Sequence, residues 1–238
     1  MRQELHPIQL QILKKLLFAQ GLRYSELKPS KKIENNQFQF HLDQLIKLGH
    51  LEKIGKQYFL TKKGKEYAGR LDTDKVKIVK QAKISVRSCC TREIDGEKQY
   101  LIYTRLKQPF YGCQGFPAGK VDYGEKILEA AKRELKEETS LEGEPKLLAI
   151  THYFVLEKES NLILEDKLMF FFLVENPRGE LIANREGKFE WVAEKDLESY
   201  ITQPFESKKQ FKKEIKLIKN YSGQIELWEE IHYNAQLF

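Results

Sequence analysis

Glu134, Glu137 and Glu138 stand at i, i+3 and i+4 within the stretch EAAKRELKEETSL. On an α-helix these positions share one face, with Cβ atoms about 5–6 Å apart. Two carboxylates about 6 Å apart repel by roughly 3 kcal/mol at an effective dielectric of about 20. A hard divalent cation reverses that sign, since Mg²⁺ takes oxygen ligands and recruits substrate phosphates beside them. The plainer alternative is a solvated acidic face. Lys126, Lys132, Arg133 and Lys136, in and beside the same stretch, speak for it. Spacing alone leaves both open.

The wider pattern narrows the choice. Gly119 is followed after five residues by Glu125, and seven residues later come Arg133 and Glu134. Leu135, a spacer, Glu137, Glu138, a spacer, Ser140 and Leu141 complete the run. This resembles the Nudix box, G-x5-E-x7-R-E-U-x-E-E-x-G-U, with U bulky and apolar. One fixed position departs: Ser140 replaces the last glycine. The preceding FPAGKVDYGE (116–125) also resembles the run that leads into the box.

The resemblance implies an enzyme that cleaves a nucleoside diphosphate linked to another group. It implies Mg²⁺ or Mn²⁺ held by Glu134, Glu137, Glu138 and the carbonyl of Gly119. Arg133 joins the catalytic set by pairing with a glutamate and steadying the carboxylates. Gly119 is expected in a tight turn, and Glu125 at the start of the helix, where the dipole suits a carboxylate. Ser140 is expected in the left-handed conformation that ends a helix, at a cost of roughly 1 kcal/mol. It removes no ligand.

Elements must hold these residues in place. Ala130, Ala131 and Leu135 form an apolar stripe for docking the helix on a sheet. KISVRSCCTRE (83–93) and KQYLIYTRL (98–106) read as strands joined by an Asp95-Gly96 turn. PKLLAITHYFVLE (145–157) and KLMFFFLVE (167–175) read as further strands, and FEWV (189–192) as a short one before a helix. KKQFKKEIKLIKNY (208–221) is helical, with Phe211, Ile215 and Ile218 on one stripe. The following QIELWEEIHYNAQLF suits helix or strand. The order agrees with the α/β/α sandwich that the resemblance implies. Substrate contacts are expected from Arg105, Tyr111 and Phe116. Phe110, Tyr153 and Phe154 are further stacking candidates, and Glu186 and Glu190 candidate extra carboxylates.

The first third of the chain reads differently. PIQLQILKKLLFAQ (7–20), RYSELKP (23–29) and NNQFQFHLDQLIKLGH (35–50) have helical spacing. LEKI and QYFL flank a Gly55-Lys56 turn, and Thr61 caps a last helix over 62–71. This order resembles a winged helix-turn-helix. The expected class is therefore α+β, a winged helix followed by a Nudix sandwich. The expected boundaries are 1–72, a charged linker at 73–82, the Nudix domain at 83–205, and a helix and tail at 206–238 packed on it. In a winged helix the third helix enters the major groove. Here it would offer Asn36, Gln37, Gln39, His41 and Gln44, and the wing would bring Lys56 to a phosphate. Protein docking is the alternative use of such a domain.

Charge points the same way. Residues 1–75 hold 15 Lys+Arg against 8 Asp+Glu, while the rest of the chain is nearly balanced. Double-stranded DNA is the expected partner of a basic first domain. The longest apolar run, LMFFFLV (168–174), is too short to span a bilayer. No apolar signal region opens the chain, so no membrane partner and a cytoplasmic location are expected. Cys89, Cys90 and Cys113 lack metal-type spacing and are expected as buried thiols. A homodimer is a candidate state, because both kinds of domain commonly dimerise. Two functions remain: a hydrolase, favoured because the box carboxylates are all present, or a transcription regulator that senses a nucleotide. Known regulators pairing these domains carry the winged helix at the other end.

Overall fold

The computed structural model describes residues 4–182 and 185–233. The chain divides into two compact units, Met1–Lys80 and Gln81–Phe238.

The first unit runs α1 (Pro7–Leu17), β1 (Leu22–Arg23), α2 (Tyr24–Leu27), α3 (Asn35–Lys47), β2 (Leu51–Ile54), β3 (Gln57–Leu60), α4 (Lys62–Ala68), β4 (Leu71–Asp72) and β5 (Lys77–Ile78). His6 caps α1, its Nδ1 accepting from the Ile8 N–H, and Gln9 returns a carboxamide oxygen to the His6 N–H. Ile12, Leu13 and Leu16 of α1 bury against Phe38, Leu42 and Leu45 of α3. β2 and β3 form the hairpin expected around Gly55, which has φ 59°, and β1 adds a third strand on β3. Thr61 caps α4 by accepting the Gly64 N–H at 3.0 Å. The charged connector is not featureless. β4 and β5 pair antiparallel, because the Asp72 carboxylate accepts the Asp74 and Lys75 N–H groups and closes a turn between them.

The second unit runs β6 (Lys83–Ile94), β7 (Glu97–Arg105), β8 (Gln114–Gly115), β9 (Ala118–Lys120), α5 (Ile127–Thr139), β10 (Lys146–Leu156), β11 (Ile163–Glu175), β12 (Gly187–Ala193), a 3₁₀ turn at Glu194–Asp196, α6 (Leu197–Tyr200), α7 (Lys208–Lys219) and β13 (Glu226–His232). Asp95 and Gly96 both have positive φ, which suits the tight turn between β6 and β7. Among the described residues the sheet order is β12-β7-β6-β11-β10-β13, with β8 on β7 and β9 on β6. β6 and β11 run parallel from Lys83 against Lys167 to Thr91 against Glu175. This central seam is largely buried on both faces; β11 is a near-continuous apolar run over 168–174, whereas β6 also buries Ser85, Arg87, Ser88 and Thr91.

Helices cover both faces. Ala130 and Ala131 of α5 pack on Val86 and Phe172, and Leu135 on Cys90, Leu101 and Val174. On the other face, Phe211, Leu217 and Ile218 of α7 pack with Cys89, Phe171 and Leu148. The segment that suited either helix or strand forms β13, parallel to β10, and its last five residues lie outside the described ones. The three cysteines are free and buried. No helix among the described residues is long and apolar enough to cross a membrane.

Candidate active site

α5 begins at Ile127, later than expected, and Glu125 lies before it. Glu125 accepts the Asp122 N–H at 3.0 Å and takes Arg133 Nε and Nη2 at 2.7 and 2.8 Å. Its role is to tie the loop to the helix rather than to open the helix. That contact with Arg133, helped by the Asp122 N–H, pulls its carboxyl down to about 2. Arg133 also donates to Glu134 at 2.9 Å, Glu137 at 3.0 Å and the Lys120 carbonyl at 3.0 Å. These partners, Glu125 first, raise its pKa further. One guanidinium thus orients three carboxylates.

Gly119 is not in a turn. It lies in β9, opposite Val86 of β6. A Cβ there would overlap the Glu134 carboxyl, so a larger residue would displace that carboxylate. Ser140 closes α5 with φ 62° and ψ 9°, donating its N–H to the Lys136 carbonyl at 2.9 Å. The expected left-handed cap is present without glycine.

A cavity of about 860 Å³ opens beside α5, within the range of about 300–1,000 Å³ usual for small-molecule sites. Its wall includes Gly119, Glu134 and Glu138, together with Arg105, Lys107 and Glu186. Burial, then the charges of Glu134 and Glu186, push Glu138 up to about 8. Burial also raises Glu134, although Arg133 opposes it. Glu137 sits outside the wall with its side chain 60 % exposed. Arg105 donates to the Pro109 carbonyl at 2.6 Å and Lys107 pairs with Glu186 at 2.5 Å.

Among the substrate candidates, Arg105, Phe116, Phe110 and Tyr153 line the cavity. Tyr111 does not. It is 55 % exposed, because Phe110, at φ 68°, turns in beside Phe205 and leaves its neighbour facing out. Phe154 also lies off the wall, and Glu190 pairs with the Tyr200 hydroxyl instead. Several wall residues escaped the sequence reading. Glu165 bridges Lys83 at 3.1 Å and Lys167 at 2.8 Å. Burial lowers Lys167 despite that carboxylate. Arg87, in the middle of β6, is buried and ion-paired with Glu206 and Glu214, its guanidinium 4.5 Å from the Phe171 ring. A charge in the middle of the strand pattern ISVRSCC was the available signal for Arg87. Nothing in sequence marked Glu206.

In the first unit, Asn36, Gln37 and Gln39 are exposed on the first turns of α3, and Lys56 is exposed at the hairpin turn. Gln39 donates to Asp43 at 2.8 Å, and Gln44 is half-buried. His41 is not on the exposed face. It falls on the stripe of Phe38, Leu42 and Leu45, is buried, and stacks on His6 at 4.2 Å. Burial, then the charge of His6, lowers its pKa.

Comparison with known proteins places this geometry in context. A model of the NUDIX domain matches residues 85–215. An ADP-ribose pyrophosphatase of Methanocaldococcus jannaschii is 33% identical over 91 residues, 37% of this chain and 52% of the relative. An uncharacterised Nudix hydrolase of Bacillus subtilis, YvcI, is 27% identical over 101 residues, 42% of this chain and 63% of the relative. The chain therefore spans about half to three-fifths of the lengths of these curated relatives. Among solved structures, the NUDIX domain of Shewanella oneidensis NrtR, complexed with ADP ribose, shares the fold. Its TM-score is 0.50 at 16% identity, covering 67% of this chain and 97% of that one.

Proposed function

Because the chain belongs to the Nudix family, we propose that it is a metal-dependent hydrolase of a nucleoside diphosphate linked to a second group. The observation that carries the reading is that Glu134 and Glu138 share one cavity wall, with Arg133 orienting Glu134 and Glu137. An ADP-ribose pyrophosphatase among the relatives makes ADP-ribose the first substrate to try.

The donor set fits a hard divalent cation, Mg²⁺ or Mn²⁺. Glu134, Glu137 and Glu138 offer carboxylate oxygens, with the Gly119 carbonyl as a further candidate. Buried like charges that hold Glu138 protonated are what a cation would relieve. Among the described residues no three acidic, His or Cys side chains converge on one point, since Arg133 engages Glu134 and Glu137. An ion would take those oxygens from Nη1 of the guanidinium, which Glu125 would still hold through Nε and Nη2. When bound, such an ion neutralises phosphate charge and activates water. The chain's own part is to fix the carboxylates, to meet phosphate oxygens with Arg105 and Lys107, and to enclose the reacting groups.

The test is hydrolysis of ADP-ribose and related nucleoside diphosphate derivatives with Mg²⁺ or Mn²⁺. Glu138→Gln is expected to lower turnover at least ~100-fold, as loss of a group acting in the transition state does. Equal turnover of parent and variant would sink the assignment. Absence of turnover with retained binding would favour the second reading, a regulator that senses the nucleotide. What supports that reading is the first unit. We infer that residues 1–72 act as a winged helix on double-stranded DNA, through Asn36, Gln37, Gln39 and Lys56, with Gln44 at the margin.

A further inference from the structure

Glu206 lies in the cavity wall and is only 6% exposed. Its Oε1 accepts from Arg87 Nη1. Among the described residues, its Oε2 accepts no hydrogen bond. The other arm of Arg87 is committed to Glu214, so the guanidinium cannot turn to serve both oxygens of Glu206. An ionised carboxylate only accepts. Oε2 is not sealed inside the protein, so a ligand donor can replace solvent on it in the cavity. Flat apolar faces surround it. Phe116 and Tyr153 are buried in the same wall, and Phe205 precedes Glu206 there. The charge of Glu206 is felt at the Tyr153 hydroxyl, which burial raises in the first place. Aromatic faces beside one acceptor suit a planar ring that carries an N–H at its rim.

Resting on the reading of this cavity as a nucleotide site, we propose that Glu206 reads the nucleobase. Its free oxygen accepts from an exocyclic amine, favouring adenine, guanine or cytosine over uracil. Uracil has one ring N–H, set between two carbonyl oxygens that would be pressed towards the carboxylate. Arg87 is a positioning residue in this scheme. It fixes which oxygen of Glu206 faces the ligand.

ADP-, GDP-, CDP- and UDP-glucose share ribose, diphosphate and sugar, so they isolate the base. They would be titrated calorimetrically, with Mg²⁺, into the full chain carrying Glu138→Gln to block turnover. The tightest of the three amino-bearing compounds should bind at least ~10-fold more tightly than UDP-glucose, the scale of one hydrogen bond to a charged group. Adding Glu206→Gln should bring that ratio to within ~3-fold of unity, because an amide can donate as well as accept. Adding Glu214→Gln instead, which touches the same arginine but lies off the wall, should keep the parent ratio. Equal binding of all four compounds would overturn the base-reading role and leave the nucleotide site standing. A ratio unchanged by Glu206→Gln would do the same. Binding of none would remove the nucleotide reading and this proposal with it. The four-ligand comparison needs no change at position 206, so it decides the matter even if that variant fails to fold.

Discussion

Arg133 and Glu138 divide the electrostatics of the site between them. Arg133 gathers Glu125, Glu134 and Glu137, and Glu138 is left buried among like charges. In the ion-free folded chain Glu138 keeps its proton until about pH 8, against an ordinary value of 4.5. The folded state therefore binds an extra proton between those values. Stability contributed by the protonated form is complete below about pH 4.5 and is lost as pH rises through 8. With chelator present, the melting temperature should fall from pH 5 to 8.5, and Glu138→Gln should flatten part of that fall. Identical slopes in the two proteins would show that Glu138 is not held protonated. The carboxylates were legible because helical spacing fixes neighbours on one face. Glu206 was not, since its partner Arg87 stands 119 residues away and no local period links them.

At the scale of elements, α5 is the informative case. Its apolar stripe and its closing residue follow from sequence. Its start does not, because Glu125 is drawn off the helix by Arg133 and the Asp122 N–H. Gly119 misled for a related reason: a glycine that makes room for a neighbour looks the same in sequence as one that makes a turn. Ser140 holds a conformation that glycine adopts freely. Ser140→Gly should raise stability in urea by ~0.5 kcal/mol, about 1 kcal/mol of relieved strain offset in part by the freer unfolded chain. A loss of stability would mean that the serine side chain does more than tolerate its backbone. The connector hairpin was missed because a two-residue strand has no period, and the Asp72 turn that makes it is a side-chain effect.

For the whole molecule, the positive excess lies in the first unit and the cavity in the second. If residues 1–72 bind duplex DNA, affinity should fall steeply with salt as phosphate counterions are released. Gln39→Ala should change sequence preference, and Lys56→Ala should weaken all sequences alike and reduce the salt slope by about 1. Gel-shift titrations at several salt concentrations would measure both. Salt-independent or absent binding would leave the unit a docking module. The order of the longer helices and strands was readable, though not the connector hairpin or β13, whereas the cavity wall came from strands that meet only in the folded sheet. That parallel seam between β6 and β11 also has a consequence in time. Lys83 and Lys167 face each other across a long stretch of chain, and closing it costs entropy before any contact repays it. α5 lies inside that stretch and rests on Val86 of one strand and Phe172 of the other. A nascent chain therefore carries its box glutamates well before β11 completes the floor on which α5 rests.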